Sequence, residues 1–168
     1  IYSNRGISSA EELDYQLSKL KSFHSLTGID SATELLWQSL VGKEKVLIVG
    51  DFDADGATSS ALAKLVLSRL GMTVDYLVPN RFDYGYGLSP ELVEVAKKMS
   101  PDLIITVDNG ISSIAGVKAA KDAEIKVLVT DHHLAGDELP QADAIVNPNQ
   151  PGDEFPSKNL AGVGVVFY

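Results

Sequence analysis

Acidic and imidazole side chains are concentrated in three short motifs of this chain. The first, GDFDADG, places carboxylates at Asp51, Asp53 and Asp55 and ends in a glycine. The second is DNG, which carries Asp108, and the third is DHH, which ends in two histidines. Carboxylate oxygens combined with imidazole nitrogens are ligands that suit Mn²⁺, with Mg²⁺ and Co²⁺ as alternatives. The motifs therefore predict a metal site, provided that the fold brings them together.

Each motif directly follows a short apolar run that is typical of a buried strand. Strands are predicted at 45–49, 74–78, 102–107, 126–130 and 143–146. Helices are predicted between them at 57–71, 89–99 and 112–123. Strands that are apolar throughout and alternate with helices indicate a parallel sheet that is covered on both faces. We therefore expect a doubly wound α/β fold with a mainly parallel sheet of about five strands.

This topology would gather the three motifs at one edge of the sheet. The carboxyl ends of parallel strands lie along one edge, and ligands bind there, where the strand order reverses. Asp131, His132 and His133 of the DHH motif would then lie beside the acids of the other two motifs. Because unpaired carboxylates at close range raise each other's pKa, cations are expected among them. The number of ligands predicts two divalent cations, roughly 3.5–4 Å apart and bridged by one carboxylate, which can activate water and stabilise a phosphoryl group.

Two helices are predicted ahead of the sheet. The segment SAEELDYQLSKLKSF begins with a capping box formed by Ser9 and Glu12, and SATELLWQSL begins with another formed by Ser31 and Glu34. We interpret residues 1–44 as a helical extension that packs on the core.

The bulk composition limits the range of functions. With 168 residues and 45% hydrophobic residues, the chain is expected to form one domain with a sizeable core. Its apolar runs are too short to span a bilayer, no secretion leader is seen and cysteine is absent, so we expect a cytoplasmic protein without a membrane partner. Because the sequence begins with Ile1, it is expected to be part of a longer protein.

The net charge of −9 raises a question about nucleic acid, because proteins that bind it through their whole surface are basic. Either the partner of this chain is not a polyanion, or metal ions and a local or missing basic surface offset the carboxylates.

Three other interpretations of the motifs were weighed. A calcium-binding EF-hand loop that starts at Asp51 would need a glutamate where Leu62 stands, and the segment follows a strand instead of a helix. A phosphoacceptor receiver domain would use Asp108 and Thr130, but its first acids would be adjacent, and the chain has NPN where a receiver has Lys-Pro. The receiver stays open as the non-enzyme alternative. A P-loop is excluded because no GxxxxGK[ST] occurs.

Several single residues have two interpretations each. Asp51 either braces the turn after the first strand or contacts a metal ion. Arg81 either binds a substrate phosphate or pairs with Asp83. Lys158 and Ser157 are further candidates for phosphate binding.

With DFDADG, DNG and DHH in this order, the chain resembles the DHH phosphoesterase superfamily. The longer strings VGDFDADGATSSAL, IITVDNGISS and FPSKNLAGVGVVFY are similar to the single-strand-specific DNA exonucleases of that superfamily. The resemblance covers the whole chain and implies 5′-to-3′ hydrolysis of single-stranded DNA in repair and recombination, with Mn²⁺ or Mg²⁺. It also implies repair-protein partners, such as a single-strand-binding protein or a helicase. Pyrophosphatases and phosphodiesterases of oligonucleotides or cyclic dinucleotides share this metal chemistry and stay open as alternatives.

The same resemblance implies roles for the metal ligands. Asp53 and Asp55 would each hold one ion, Asp108 would bridge the two ions, and His132 would bind the second. Some members of the superfamily carry a further histidine ligand where this chain has Val49, so the first ion is expected to be held more weakly.

Two roles beyond metal binding are also implied. His133 would contact the scissile phosphate and stabilise the charge of the transition state, and Asp131 would orient the histidine pair. Residues 45–168 would form the DHH phosphoesterase domain, which stops at Tyr168 before a fourth motif and a second domain. Whether this stretch alone is active stays open.

Overall fold

The computed structural model describes residues 3–14 and 16–168, apart from the side chains of Ser3, Ala10, Glu11 and Arg81. Within these residues the strands are Lys45–Gly50 (β1), Thr73–Leu77 (β2), Leu103–Val107 (β3), Lys126–Thr130 (β4) and Ala144–Val146 (β5). The α-helices are Ile29–Gly42 (α1), Ala54–Arg69 (α2), Arg81–Tyr84 (α3), Pro90–Lys97 (α4), Ile114–Asp122 (α5) and Gly162–Phe167 (α6). None of them combines the length and apolarity that a membrane crossing requires.

The strands form one sheet in the order β2-β1-β3-β4-β5, and every pairing between neighbours is parallel. The strand order reverses between β1 and β3, which is the switch point of a doubly wound fold. Gly50 pairs with Val107, and Val107 pairs with Thr130, so the last residues of β1, β3 and β4 are in register. The residues that follow these three strands therefore leave the sheet side by side. The predicted fold class is confirmed.

Alternate residues of the strands contribute side chains to two apolar layers, one on each face of the sheet. Val46 and Ile48 of β1 point into a layer shared with α1, α2 and α6, whereas Leu47 and Val49 point into a layer shared with α4 and α5. All four side chains are fully buried. Burial on both faces explains why the strands are apolar throughout instead of alternating.

The first predicted helix is wrong for the described residues. The segment 9–23 forms short 3-10 turns at Ala10–Leu13, Leu17–Lys19 and Phe23–Ser25, and Tyr15 lies outside the described residues. Leu17 and Leu20 are exposed, so packing of these two side chains does not stabilise a helix here. One part of the expected capping box persists, because Glu12 accepts a hydrogen bond from the Ser9 N–H at 3.0 Å.

The second predicted helix is confirmed as α1, but its capping box is wrong. The helix begins at Ile29, so Ser31 and Glu34 lie inside its first turns, and Gly28 stands at the N-cap with φ of 84°. A Cβ on Gly28 would lie 2.0 Å from the carbonyl oxygen of Ile145 next to the sheet edge. The close approach of α1 to β5 therefore requires glycine at this position, and the approach sets where the helix starts.

Candidate metal centre

Backbone hydrogen bonds extend the sheet beyond its strands and fix the start of each motif. The Asp108 N–H donates to the Thr130 carbonyl at 3.0 Å, and the Asp131 N–H donates to the Val146 carbonyl at 3.1 Å. The Asn109 amide donates to the carbonyl oxygens of Val49, at 3.1 Å, and Val107, at 2.9 Å, and so ties the ends of β1 and β3 together. The motifs converge at the switch point, as predicted from the topology.

Asp108 is an almost completely buried acid of this region. It is 2% exposed, its φ is 60°, and its Oδ1 accepts no hydrogen bond from any residue that the structure describes. Burial, followed by the negative charges of Asp55 and Asp53, raises the pKa of Asp108 to about 7. A left-handed backbone in a non-glycine residue and an unsatisfied buried oxygen both cost free energy, and such features are concentrated at functional sites.

His132 completes this part of the site. Its Nε2 lies 3.0 Å from Asp108 Oδ1 and 3.6 Å from Asp55 Oδ2. The close pair is not a hydrogen bond, since Asp108 Oδ1 has no hydrogen-bond partner among the described residues. Two neighbouring ligands of an octahedral ion, each about 2.1 Å from it, are about 3 Å apart. The separation and the unsatisfied oxygen therefore fit a divalent cation between the two side chains.

Potential ligand atoms form two groups that share Asp108. In one group Asp108 is joined by His132 and His133, and in the other by Asp51 and Asp53, and within each group the atoms lie within 4.8 Å of one another. An acid that belongs to both groups occupies the position of a bridging ligand. Two ions placed in these groups would both be within reach of Asp108.

Asp51 and Asp53 also shape the backbone of the first motif. Asp51 Oδ1 accepts from the Phe52 N–H at 2.8 Å, and Asp53 caps α2 by accepting from the Gly56 N–H at 2.9 Å. Both interpretations of Asp51 are therefore compatible, because it braces the turn and also lies within one of the candidate ligand groups.

Asp55 has a second role that the sequence did not reveal. Its two carboxylate oxygens accept from the N–H groups of Gly162, at 2.7 Å, and Val163, at 2.8 Å, which begin α6. A Cβ on Gly162 would lie 2.5 Å from Asp108 Oδ1, so the helix rests directly on the site. Each carboxylate oxygen has a further lone pair, which leaves Asp55 able to bind a cation as well.

The DHH motif is folded around its aspartate. Asp131 is 1% exposed, and its Oδ1 accepts from the N–H of His132 at 2.7 Å, from the N–H of His133 at 3.1 Å and from His133 Nδ1 at 2.7 Å. Its Oδ2 accepts from the Ile111 N–H at 2.9 Å. Burial by itself lowers the pKa of His133, but the hydrogen bond and charge of Asp131, together with other nearby acids, outweigh burial and raise that pKa.

Three residues that contact this motif were missed by the sequence analysis. The Tyr86 hydroxyl lies 3.3 Å from His133 Nδ1 and 3.4 Å from Nε2. Asn147 donates to the His133 carbonyl at 2.9 Å, and Asn149 donates to the His132 carbonyl at 2.5 Å. The available signals were a tyrosine between two glycines and an NPN tripeptide directly after the last strand.

The three candidate phosphate-binding residues have different surroundings in the structure. Arg81 begins α3, and its side chain lies outside what the structure describes. Lys158 Nζ donates to the Pro148 carbonyl at 2.6 Å and to the carbonyl and carboxylate of Asp153, both at 2.8 Å. All three N–H groups of this ammonium are thus engaged within its own loop. Ser157, its neighbour, is partly buried.

The alternative interpretations of the motifs lose support. A receiver needs a free hydroxyl beside its phosphoacceptor, but Thr130 Oγ1 is buried and donates to the Thr106 carbonyl at 2.7 Å. Asp51 and Asp53 lie between β1 and α2, whereas Asp55 and Leu62 lie within α2, which is not the helix–loop–helix arrangement of an EF-hand.

A family model described as the N-terminal domain of the DHH family matches residues 45–168. The chain belongs to the DHH family. It is 55% identical, over its whole length, to the single-stranded-DNA-specific exonuclease RecJ of Salmonella typhimurium and covers 29% of that protein. The resemblance inferred from the DHH motifs is thereby confirmed.

Solved structures of DHH proteins agree with this assignment. A manganese-bound exonuclease RecJ matches with a TM-score of 0.79 and 32% identity, over 88% of this chain and 37% of that one. RecJ from Thermus thermophilus, in complex with Mn²⁺, matches with a TM-score of 0.77 and 32% identity, over 99% of this chain and 23% of that one. The chain thus spans less than a third of the length of the curated relative that it matches.

Proposed function

We propose that the chain is the metal-binding catalytic part of a single-strand-specific DNA exonuclease that degrades DNA in the 5′-to-3′ direction during repair and recombination. The observation that carries this proposal is the approach of His132 Nε2 to the unsatisfied Oδ1 of Asp108 at the switch point. The names of the curated relatives and the manganese in the RecJ structures support it.

We assign the metal ligands as two overlapping sets, with Mn²⁺ as the preferred ion and Mg²⁺ as the alternative. Asp53, with Asp51 beside it, would hold the first ion, Asp55 and His132 would hold the second, and Asp108 would be shared by both. When bound, two divalent cations activate water as a nucleophile and stabilise the charge on phosphoryl oxygens. The four positive charges of the ions also offset the acidic balance of the chain where the substrate binds.

The remaining residues of the DHH motif act on the substrate and on each other. Asp131 accepts from His133 Nδ1 and so fixes the ring. Asp131 also helps to raise the pKa of His133, and the protonated ring would donate from Nε2 to a phosphoryl oxygen. Asp131 is the positioning residue and His133 is the group that contacts the scissile phosphate. Arg81 and Ser157 remain our candidates for contacts to other phosphates. Lys158 would first have to break its hydrogen bonds to Pro148 and Asp153.

This assignment of ligands also gives a role to each part of the chain. Residues 45–168 carry the chemistry, and α1, which precedes them, packs against β5. A DNA substrate implies action in the cytoplasm, where a helicase or a single-strand-binding protein would supply single strands. Basic surface for the DNA is expected from the parts of the relatives' length that this chain does not span.

The test offers the protein, at its natural length and with Mn²⁺, three substrates in parallel. These are single-stranded DNA labelled at either end, inorganic pyrophosphate and a cyclic dinucleotide. We expect mononucleotides to be released from the 5′ end of the DNA, and none to be released after chelation of Mn²⁺. Consumption of pyrophosphate or the cyclic dinucleotide with the DNA intact would overturn the proposed substrate, and hydrolysis that is insensitive to chelation would overturn the metal mechanism.

A further inference from the structure

The two histidines of the DHH motif are adjacent in sequence, and both face the site. In an extended strand, successive side chains point to opposite faces. Here the ring centroids of His132 and His133 are only 4.6 Å apart, and both rings approach acids of the site. The backbone must therefore leave the strand conformation after β4 and must be held in its new course.

Side chains satisfy all four backbone polar groups of this histidine pair. Asp131 accepts from both N–H groups. The two carbonyl oxygens face the other way and accept from Asn149, at 2.5 Å for His132, and from Asn147, at 2.9 Å for His133. The DHH turn is thus held from one side by its own aspartate and from the other by two asparagines of the loop that follows β5.

The two asparagines are themselves held in place. Asn147 is fully buried, and its Oδ1 accepts from the Asn149 N–H at 2.7 Å, which leaves Nδ2 as the end that faces His133. Pro148 lies between them, and its carbonyl accepts from Lys158 Nζ at 2.6 Å. The tripeptide therefore presents two fixed donors to the histidine backbone.

We propose that Asn147 and Asn149 are positioning residues, which orient the two DHH imidazoles toward the metal site by holding their backbone carbonyls. The proposal rests on the proposed function, since it assigns the asparagines to that metal site. Outer partners that fix a ligand typically change metal affinity by about 10–100-fold when they are removed.

Asn149→Ala is the main variant, because Asn149 is only partly buried, and Asn147→Ala is the second. Asn149→Asp keeps the shape but turns a carboxylate toward the His132 carbonyl. Asn159→Ala is the matched control, since this exposed asparagine lies in the same loop. Ser39→Ala is the stability control, because the buried Ser39 hydroxyl donates a hydrogen bond to Glu44 just before β1, at the end of the sheet away from the site.

Two measurements are made on each variant. Mn²⁺ affinity is measured by calorimetric titration, and the histidine ring signals are recorded by NMR in the presence of a chelator. The chain has three histidines, so His24 serves as an internal reference. We expect Asn149→Ala to bind Mn²⁺ about tenfold more weakly and to shift the His132 ring signals while His24 is unchanged. Asn149→Asp should bind more weakly still, and both controls should keep wild-type affinity.

Wild-type affinity and unchanged histidine signals in Asn149→Ala would overturn the proposal. So would an equal loss of affinity in Ser39→Ala, because loss of stability alone would then explain the effect. If the wild-type chain itself binds no Mn²⁺, the proposed function fails. The ring signals of the metal-free variants then decide separately whether the asparagines orient the histidines.

Discussion

His132 Nε2 lies 3.0 Å from Asp108 Oδ1 without forming a hydrogen bond to it. The two atoms belong to residues that follow the neighbouring strands β3 and β4. A buried carboxylate oxygen without a donor is costly unless a cation compensates it. The pair therefore links the doubly wound topology to metal binding.

Asp108→Asn should abolish high-affinity metal binding without loss of the fold. Asparagine has nearly the same shape as aspartate and is well tolerated at the left-handed φ of 60°. We expect Mn²⁺ affinity to fall by more than about 100-fold, since a shared ligand should matter more than an outer partner. The melting temperature of the metal-free variant at pH 8 should equal or exceed that of wild type. Calorimetry and thermal unfolding in chelator measure both, and wild-type Mn²⁺ affinity in the variant would contradict the bridging role.

The stability of the metal-free chain should decrease as the pH rises from 5 to 8. The pKa of Asp108 is raised from 3.8 to about 7, so the folded state binds this proton more tightly, and the stabilisation is lost as the pH rises toward 7. The pKa of His133 is raised above 6.5, and its contribution is lost over a higher range in the same direction. Denaturant unfolding in chelator at several pH values measures the slope. Asp108→Asn should flatten it below pH 7, and equal slopes in both proteins would contradict the assignment.

Asp131→Asn should lower the pKa of His133. The asparagine keeps one acceptor oxygen but loses the negative charge, so the interactions that raise this pKa become weaker. The variant should also be less stable by about 1–3 kcal/mol, because buried N–H donors lose an acceptor. NMR titration of the ring signals in chelator measures the pKa, with His24 as the reference. An unchanged His133 titration would show that Asp131 does not control this ring.

Gly162→Ala should weaken both the fold and the metal site. The added Cβ would lie 2.5 Å from Asp108 Oδ1 and would push α6 away from the oxygens of Asp55 that cap it. We expect a loss of about 1–3 kcal/mol in the free energy of unfolding, together with weaker Mn²⁺ binding. Gly136→Ala is the matched control, because nothing lies within 4 Å of a Cβ at that position. Equal behaviour of the two variants would show that α6 does not rest on the site.

The sheet could be predicted from the sequence because its strands are buried on both faces. All five predicted strands are present, with bounds that differ by no more than one residue at either end. Continuous apolar runs such as LIITV, bounded by polar and turn residues, are typical of buried strands and fit few other elements. The convergence of Asp108 and His132 followed from the topology alone, since parallel strands end along one edge.

Features that depend on tertiary contacts could not be predicted in this way. The 9–23 segment has helix-forming residues and a cap, but Leu17 and Leu20 are exposed and do not pack on the core. α1 begins at Ile29 because Gly28 fits against Ile145, a contact that is distant in sequence. The capping of α6 by Asp55 and the bonds from Asn149 to the DHH turn likewise join residues from separate segments. Local patterns carry no information about such partners.

The most direct test is a crystal structure of the protein grown with Mn²⁺, with anomalous data collected above the manganese absorption edge. We predict two anomalous peaks roughly 3.5–4 Å apart, both in contact with Asp108 and one of them also bound to His132 Nε2. A map that shows manganese elsewhere on the protein, and none between Asp108 and His132, would contradict the metal centre.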